Sequence, residues 1–244
     1  MGKIICAGLG PGDPELMSVK SARLLASARQ VAFFRKKGRA GHARRIVEGM
    51  LAQGVAEYAM DYPVTTELAF DSIAYDAALS AFYDAWADRL VELAQTDDVV
   101  VLCEGDPFFY GSFMHLHVRL QGRVPMEVIP GITGMSGCWT ASGTPMAWGD
   151  DVTAVLAGTL PEADLVRHLK SADALVIMKI GRNLPKVQRA LAAAGRLDQA
   201  WLVERGTMHG ERIVQLADAD AGAAPYFSLV LVHGQGRRPG KGAS

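Results

Sequence analysis

Short runs of aliphatic residues alternate with longer segments of helical periodicity through the first half of this chain. Because parallel strands need long connections that pack against their sheet, this alternation predicts an α/β fold with parallel strands and helical crossovers. The predicted strands are, in chain order, residues 3–7, 30–34, 55–58, 99–103 and 125–129. The predicted helices are residues 18–27, with Ser18 as the N-cap, 41–53 and 67–95.

The second half of the chain opens with a cluster of turn-forming residues, Ser-Gly-Thr-Pro and Trp-Gly-Asp-Asp, which predicts a boundary between two α/β lobes near Thr144. The predicted domains are therefore residues 1–144 and 145–244. Two glycines that bracket residues 206–210 predict a hairpin, so the second sheet should be mixed. Further strands are predicted at 152–156, 174–178, 200–204, 212–216 and 228–233, and helices at 162–170 and 184–194. The tail 236–244 is predicted to be disordered.

Composition excludes several classes of protein. With 50% hydrophobic and 21% charged residues, the chain is too apolar to be intrinsically disordered. Its formal net charge of -1 leaves no general positive field that would attract nucleic acid or an anionic membrane. The apolar stretches are far shorter than the ~20 residues of a membrane helix, and the N-terminus lacks a secretory signal, so we expect a cytoplasmic protein.

The three cysteines, Cys6, Cys103 and Cys138, are scattered and flanked by apolar residues. This arrangement is typical of reduced thiols in a core and not of a disulfide framework or a zinc site. His115 and His117 are two residues apart on a predicted helix and so lie on different faces, unlike the i, i+4 pairs that bind zinc. We therefore expect no metal.

Three glycine-rich loops each follow a predicted strand of the first lobe, where open parallel sheets bind their ligands. The first loop, 8–13, resembles part of a dinucleotide fingerprint, but its proline and the late start of the next helix leave no phosphate cradle at a helix N-terminus. The second loop, 103–111, combines two acids with aromatic residues and glycines, and acids at the mouth of a buried strand need donors or a cation. The third loop, 129–134, adds a tight turn and a hydroxyl. We expect the three loops to converge.

These motifs resemble those of the tetrapyrrole methylases, S-adenosylmethionine-dependent enzymes of cobalamin and sirohaem synthesis. The matching segments cover most of the chain and are residues 8–13 with 15–18, 104–107, 130–133, 176–179 and 203–207. Glu104 before Gly-Asp-Pro, together with segments 109–114 and 178–183, is most similar to the members that methylate carbon 20 of precorrin-2 or its cobalt-bearing counterpart. Segment 134–137 departs from the family, which often has a Ser-Ser or Ser-Ala pair there.

The resemblance implies two lobes with the methyl donor folded in a cleft between them, in a homodimer. It implies S-adenosylmethionine as the donor, S-adenosylhomocysteine as the product, and methylation of precorrin-2 to precorrin-3A, with no metal required. Asp106 would contact the ribose or the ammonium group of the donor, and the glycine loops would contact adenine through their backbones. By the matching motifs, the donor-site residues are Pro11, Gly105, Asp106, Phe109, Tyr110, Thr133, Gly134 and Met178.

A carbon nucleophile that is methylated loses a proton afterwards, and a general base can assist that loss. The candidate catalytic residues are Glu104 and Tyr110, with Asp13 as a third; a purely orienting role for Glu104 is the alternative. Since the substrate carries many carboxylates, some basic residues should line its pocket. The candidate substrate-binding residues are Asp13, Arg35, Lys37, Arg182 and Arg205.

Three other functions remain open at this point. The cobalt-bearing macrocycle is the nearest alternative, because the metal need not change the methylation motifs. A nucleotide-binding oxidoreductase would need an acidic residue after the second strand, where the chain has Arg35. A non-catalytic domain that senses S-adenosylmethionine would bind the donor without turnover, although the acidic and aromatic loop and the local basic residues favour an enzyme.

Overall fold

A computed structural model describes residues 2–63, 72–220, 222 and 224–239 of the chain. The chain forms two compact units, Met1–Gly134 and Met135–Ser244. Each unit is built around a five-stranded sheet with helices in its connections. The predicted α/β fold, with a parallel first sheet and a mixed second sheet, is confirmed.

All strand pairs of the first sheet are parallel, and the strand order is β3-β2-β4-β1-β5. The strands are β1 (Ile4–Gly8), β2 (Gln30–Lys36), β3 (Ala56–Tyr62), β4 (Val99–Cys103) and β5 (Met126–Ile129). β1 lies between β4 and β5, with Ile5 opposite both Val100 and Glu127. Because parallel strands end at one edge, the loops that follow β1, β4 and β5 leave the sheet side by side.

The helices of the first unit include α1 (Val19–Ser27), α2 (His42–Ile46), α3 (Ile73–Leu93) and α4 (Phe113–Leu120). The predicted N-cap of α1 is confirmed, since the Ser21 amide donates to Ser18 Oγ at 3.1 Å. α2 is shorter than predicted because Gly49 and Gly54 adopt positive φ angles of 77° and 78°, which end helical geometry. Of the helix predicted over 67–95, residues 67–71 lie outside the described residues.

Helices cover both faces of the first sheet. Alternate residues of β1 and β4 point to opposite faces, so Cys6 packs with Phe82 of α3 and Leu116 of α4, whereas Leu102 packs with Leu25 of α1. All three cysteines are buried free thiols, as predicted. The first sheet is therefore a core that is buried on both faces.

The second sheet has the order β6-β7-β10-β8-β9, and only β6 and β7 pair in parallel. Its strands are β6 (Thr153–Ala157), β7 (Ala174–Met178), β8 (Ala200–Glu204), β9 (Arg212–Gln215) and β10 (Ser228–Val232), numbered along the chain. The predicted hairpin is β8–β9, with Leu202 opposite Val214. The helices of this unit are α5 (Gly134–Ala141), which starts on the last residue of the first unit, α6 (Glu162–Ser171) and α7 (Leu184–Ala193).

Two features of the second unit differ from the sequence-based expectation. The sequence pattern predicts no helix at α5, because its two glycines weaken the helical signal. In the structure, α5 packs Cys138 into the core beside Val176. The predicted disorder of the tail is wrong over residues 236–238. The Gly236 amide donates to Asp151 at 3.2 Å, and the Arg238 guanidinium stacks 4.6 Å from the Trp148 ring centre.

Within the described ranges, none of the helices combines the length and the apolar character needed to cross a membrane.

Candidate functional site

The three glycine-rich loops of the first unit meet backbone against backbone. The Gly105 amide donates to the Gly10 carbonyl at 2.7 Å, and the Leu9 amide donates to the Cys103 carbonyl at 2.9 Å. A Cβ at Gly131 would lie 2.1 Å from the Gly105 carbonyl oxygen, and a Cβ at Gly8 would lie 2.5 Å from the Gly131 nitrogen. Glycine is therefore required for the loops to approach this closely.

The carboxylate of Asp106 ties the second loop to the third. Its Oδ2 accepts a hydrogen bond from the Gly131 amide at 3.1 Å, and its Oδ1 accepts one from the Phe108 amide at 2.9 Å. Each carboxylate oxygen has a second lone pair, so contact with a ligand is still chemically open. In this structure, however, Asp106 serves first to hold the two loops together.

The residues expected to bind the methyl donor lie on these loops, apart from Met178. Pro11 is buried and Gly105 has a φ of 64°. A Cβ at Gly134 would meet no atom within 4 Å, so the third loop leaves open space there. The first unit thus has open space beside the half-buried backbone of Gly134, with little side-chain bulk around it, which suits a flat, polar ligand.

Two aromatic residues stand beside this surface. Phe109 is half-buried, Tyr110 is 49% exposed, and their rings meet edge to face with centres 4.9 Å apart. Tyr110 adopts a φ of 57°, a left-handed conformation that costs a non-glycine residue about 1–3 kcal/mol. Strain of this kind is typical of functional sites, where a precise side-chain position can outweigh the cost of an unfavourable backbone conformation.

Glu104 follows β4 directly and is partly buried. Burial raises the pKa of its carboxyl group, and hydrogen bonds from its own amide and from the Ala43 amide oppose that rise. Ala43 lies in the first turn of α2, so the carboxylate faces the end of a helix. A carboxylate with a raised pKa is a better proton acceptor, which suits a general base.

The expected substrate-binding residues of the first unit differ in their partners. Asp13 accepts a hydrogen bond from the Glu15 amide at 2.9 Å and caps the short 3-10 helix Pro14–Leu16. Arg35, near the end of β2, forms an ion pair with Asp61 at 2.6 Å. Lys37 follows the same strand and is exposed. The charge of Arg35 is therefore already balanced within the chain.

The remaining candidates lie in the second unit, where the backbone is strained after two strands. Met178 ends β7 and is followed by Lys179 with a φ of 55°, while Arg205 follows β8 with a φ of 51°. Arg182 lies in a short 3-10 helix after β7. Thr207, which the sequence does not single out as a site residue, has a φ of 65° and a buried hydroxyl with no partner among the described residues. Its place at the end of the matching segment 203–207 was the available signal.

The described part of the chain contains no group of three or more His, Cys, Asp or Glu side chains that could hold a metal ion.

Comparison with known proteins gives consistent results. The family model of the Tetrapyrrole (Corrin/Porphyrin) Methylases matches residues 3–220. Precorrin-2 C(20)-methyltransferase of Sinorhizobium sp is 54% identical over 98% of this chain and 98% of its own length. Cobalt-precorrin-2 C(20)-methyltransferase of Salmonella typhimurium is 27% identical over 96% of this chain and 97% of its own length.

The fold is also that of solved structures. Uroporphyrin-III C-methyl transferase from Thermus thermophilus, solved as a complex with S-adenyl homocysteine, has a TM-score of 0.66 and 23% identity. The match covers 95% of this chain and 92% of that one. At this identity, the likeness demonstrates a shared fold.

Proposed function

This chain belongs to the tetrapyrrole (corrin/porphyrin) methylases, and we propose that it transfers a methyl group from S-adenosylmethionine to carbon 20 of precorrin-2. The observation that carries this proposal is the 54% identity, along 98% of both chains, to a protein named for that reaction. The convergence of the three glycine-rich loops at one edge of the first sheet supports the same conclusion, because that edge is where parallel sheets bind ligands.

The loops fit a donor without phosphates. α1 begins at Val19, well beyond Gly12, so the first loop does not end in a helix N-terminus that would hold a phosphate. We assign the donor to the open space beside the backbone of Thr133 and Gly134, which we call the open backbone surface. The buried Gly105 and Pro11 lie beneath it in this assignment, with Asp106, Phe109 and Tyr110 around it. Met178, in the second unit, is assigned to the donor on its motif.

S-adenosylmethionine, when bound, supplies a methyl group that its positive sulfonium already activates. The chain's main task is then alignment, which can contribute about 7–11 kcal/mol to lowering a barrier in favourable cases. Asp106 contributes to alignment by fixing the second loop against the third. Glu104 is the proposed acceptor of the proton that carbon 20 loses, because its pKa is raised, and Tyr110 is the second candidate.

Basic residues are assigned to the carboxylates of the substrate. Lys37 and Arg205 are exposed, so both can reach a solvent-facing carboxylate. Arg35 would have to share its guanidinium with Asp61, which its remaining N–H groups permit. Arg182 completes this basic set. Asp13, which is acidic, is proposed to contact the substrate at a group other than a carboxylate. We further propose a cytoplasmic homodimer, the form that the family resemblance implies.

The direct test is transfer of a carbon-13 methyl group. The purified chain, precorrin-2 and labelled S-adenosylmethionine should yield one product, whose label is located at carbon 20 by NMR. The Sinorhizobium relative serves as the positive control. Transfer to another carbon, or no transfer under conditions where the control works, would contradict the proposal. Donor binding without any transfer would instead support a sensor.

Cobalt-precorrin-2 is the second candidate substrate, since the Salmonella relative named for it matches almost the full chain. The chain is 54% identical to the relative named for precorrin-2 and 27% identical to the relative named for cobalt-precorrin-2, which favours the metal-free macrocycle. Offering both macrocycles in one reaction, at equal concentration and with limiting donor, measures the ratio of their kcat/KM values. A preference for the cobalt form would reverse the substrate assignment and leave the methyltransferase assignment intact.

A further inference from the structure

The serine at the start of α4 does not cap its own helix. Ser112 occupies the N-cap position, yet its side chain makes no capping hydrogen bond. Serine is favoured at this position because its oxygen normally accepts a bond from an amide of the first turn. Here the hydroxyl of Ser112 is hydrogen-bonded to the hydroxyl of Tyr62, the last residue of β3. The serine therefore joins two elements instead of stabilising one.

A third hydroxyl completes this group. Tyr83 of α3 is buried, and burial raises the pKa of its hydroxyl while the neighbouring hydroxyls of Ser112 and Tyr62 act in the opposite direction. Its ring stacks on His115 with centres 4.7 Å apart, and the Arg119 guanidinium lies 5.6 Å from the ring centre. Both contacts come from α4, and together they restrict the Tyr83 ring and so hold its hydroxyl in place. We refer to Tyr62, Tyr83 and Ser112 as the hydroxyl cluster.

The hydroxyl cluster lies at one end of the β4–α4 loop, residues 104–111, which is the second glycine-rich loop without Cys103, the last residue of β4. The other end of this loop is held by the Gly105–Gly10 hydrogen bond and by the bond from Gly131 to Asp106. A Cβ at Gly111 would lie 2.8 Å from the Pro107 carbonyl oxygen, so the loop is folded tightly on itself. The loop is thus fixed at both ends, and the hydroxyl cluster is its anchor on the α4 side.

We propose that Tyr62, Tyr83 and Ser112 are positioning residues for the methyl donor, which hold the β4–α4 loop in the conformation that binds it. This inference rests on the proposed function, since that loop carries Gly105, Asp106, Phe109 and Tyr110 of the assigned donor surface. None of the three hydroxyls needs to touch the donor. Their effect is to reduce the freedom that the loop would otherwise lose on binding.

The test compares conservative variants that remove one hydroxyl each, Tyr62→Phe, Tyr83→Phe and Ser112→Ala. The matched control is Tyr58→Phe, because Tyr58 is a half-buried tyrosine on the same strand as Tyr62 and its ring faces Arg89. Ser112→Thr keeps the hydroxyl and should behave like the unmodified chain. Binding of S-adenosylhomocysteine is measured by calorimetry, and amide hydrogen exchange is measured over residues 105–111.

We expect each cluster variant to bind S-adenosylhomocysteine about 5- to 10-fold more weakly, the effect of about one hydrogen bond. Exchange over residues 105–111 should accelerate, whereas exchange in β1 and β4 should not. Both Tyr62→Phe and Ser112→Ala break the same hydrogen bond. The double variant should therefore bind S-adenosylhomocysteine no more weakly than whichever single variant has the lower affinity. With saturating substrate, the KM for the donor should rise more than kcat falls.

Unchanged affinity of the cluster variants for S-adenosylhomocysteine would overturn the inference. This holds even if their melting temperatures fell, because the three hydroxyls would then contribute to stability alone. Equal weakening in Tyr58→Phe would overturn it as well. If the unmodified chain does not bind S-adenosylhomocysteine, the proposed function fails instead. Hydrogen exchange then still decides whether the hydroxyl cluster holds the loop, and unchanged exchange would refute that part independently.

Discussion

Glu104 is the residue on which the proposed chemistry depends most. Glu104→Gln keeps the shape of the side chain and an oxygen that can accept a hydrogen bond from the Ala43 amide. The glutamine side chain, however, cannot accept a proton at neutral pH. We expect kcat to fall by about 100-fold or more, with affinity for S-adenosylhomocysteine within 2-fold. Because burial raises the pKa of Glu104, activity of the unmodified enzyme should fall as pH decreases through that pKa.

Tyr110 provides the comparison for this result. Tyr110→Phe removes the hydroxyl and keeps the ring, so it separates the two candidate bases. If Glu104→Gln retains full kcat while Tyr110→Phe loses it, the assignment of the base is reversed. If both retain it, neither residue is the base, and Asp13 is the candidate that remains.

Glu127 makes a pH-dependent contribution to folding. Its carboxylate lies 2.5 Å from both Lys3 Nζ and Lys20 Nζ, and these hydrogen bonds lower its pKa to about 2. Because the pKa is lower in the folded than in the unfolded chain, the stabilisation is fully present above the unfolded pKa of about 4.5. It is lost as pH falls from there toward 2.

The corresponding variant is Glu127→Gln, studied by chemical denaturation at several pH values. The unfolding free energy of the unmodified chain should exceed that of the variant at pH 6, and the two should converge near pH 2. High salt should reduce the difference at pH 6, because both lysines are substantially exposed. A difference that is constant across this pH range would refute the ion-pair explanation.

At the scale of secondary structure elements, the regular alternation of the sequence was enough to predict the first sheet. β4 and β7 begin and end where the sequence predicts, because strands that are buried on both faces are continuous aliphatic runs. α5 could not be predicted, since a segment with two glycines is held as a helix by packing around Cys138 and not by propensity. Local sequence patterns therefore predict buried strands more reliably than helices that contain glycine.

The meeting of the loops makes a prediction at this scale. Gly131→Ala would place a Cβ 2.1 Å from the Gly105 carbonyl oxygen, so the loops after β4 and β5 would have to separate. We expect a loss of unfolding free energy of about 1–3 kcal/mol or more, together with loss of donor binding. Gly134→Ala, in the same loop, is the control, because its Cβ meets nothing. Equal stability of the two variants would show that the loops do not depend on this contact.

At the scale of the whole molecule, the sequence predicted that the three glycine-rich loops converge, but not the contacts that hold them together. The glycine loops and their place after β1, β4 and β5 followed from local patterns. The pairing of Arg35 with Asp61 depends on the register of β2 and β3, and the bond from Gly131 to Asp106 joins residues 25 apart. Such contacts are set by tertiary structure, so sequence spacing gave no signal for them.

The central claim is that the open backbone surface of the first unit holds the methyl donor, and Gly134→Leu tests it most directly. A Cβ at position 134 would have no other atom of the chain within 4 Å. Leucine is also favoured over glycine in a helix, so the variant should keep the fold. Calorimetry with S-adenosylhomocysteine should show strong binding to the unmodified chain, intermediate binding to Gly134→Ala, and at least 100-fold weaker binding to Gly134→Leu at an unchanged or higher melting temperature. Unimpaired binding to Gly134→Leu would contradict the account, because the donor would then lie elsewhere.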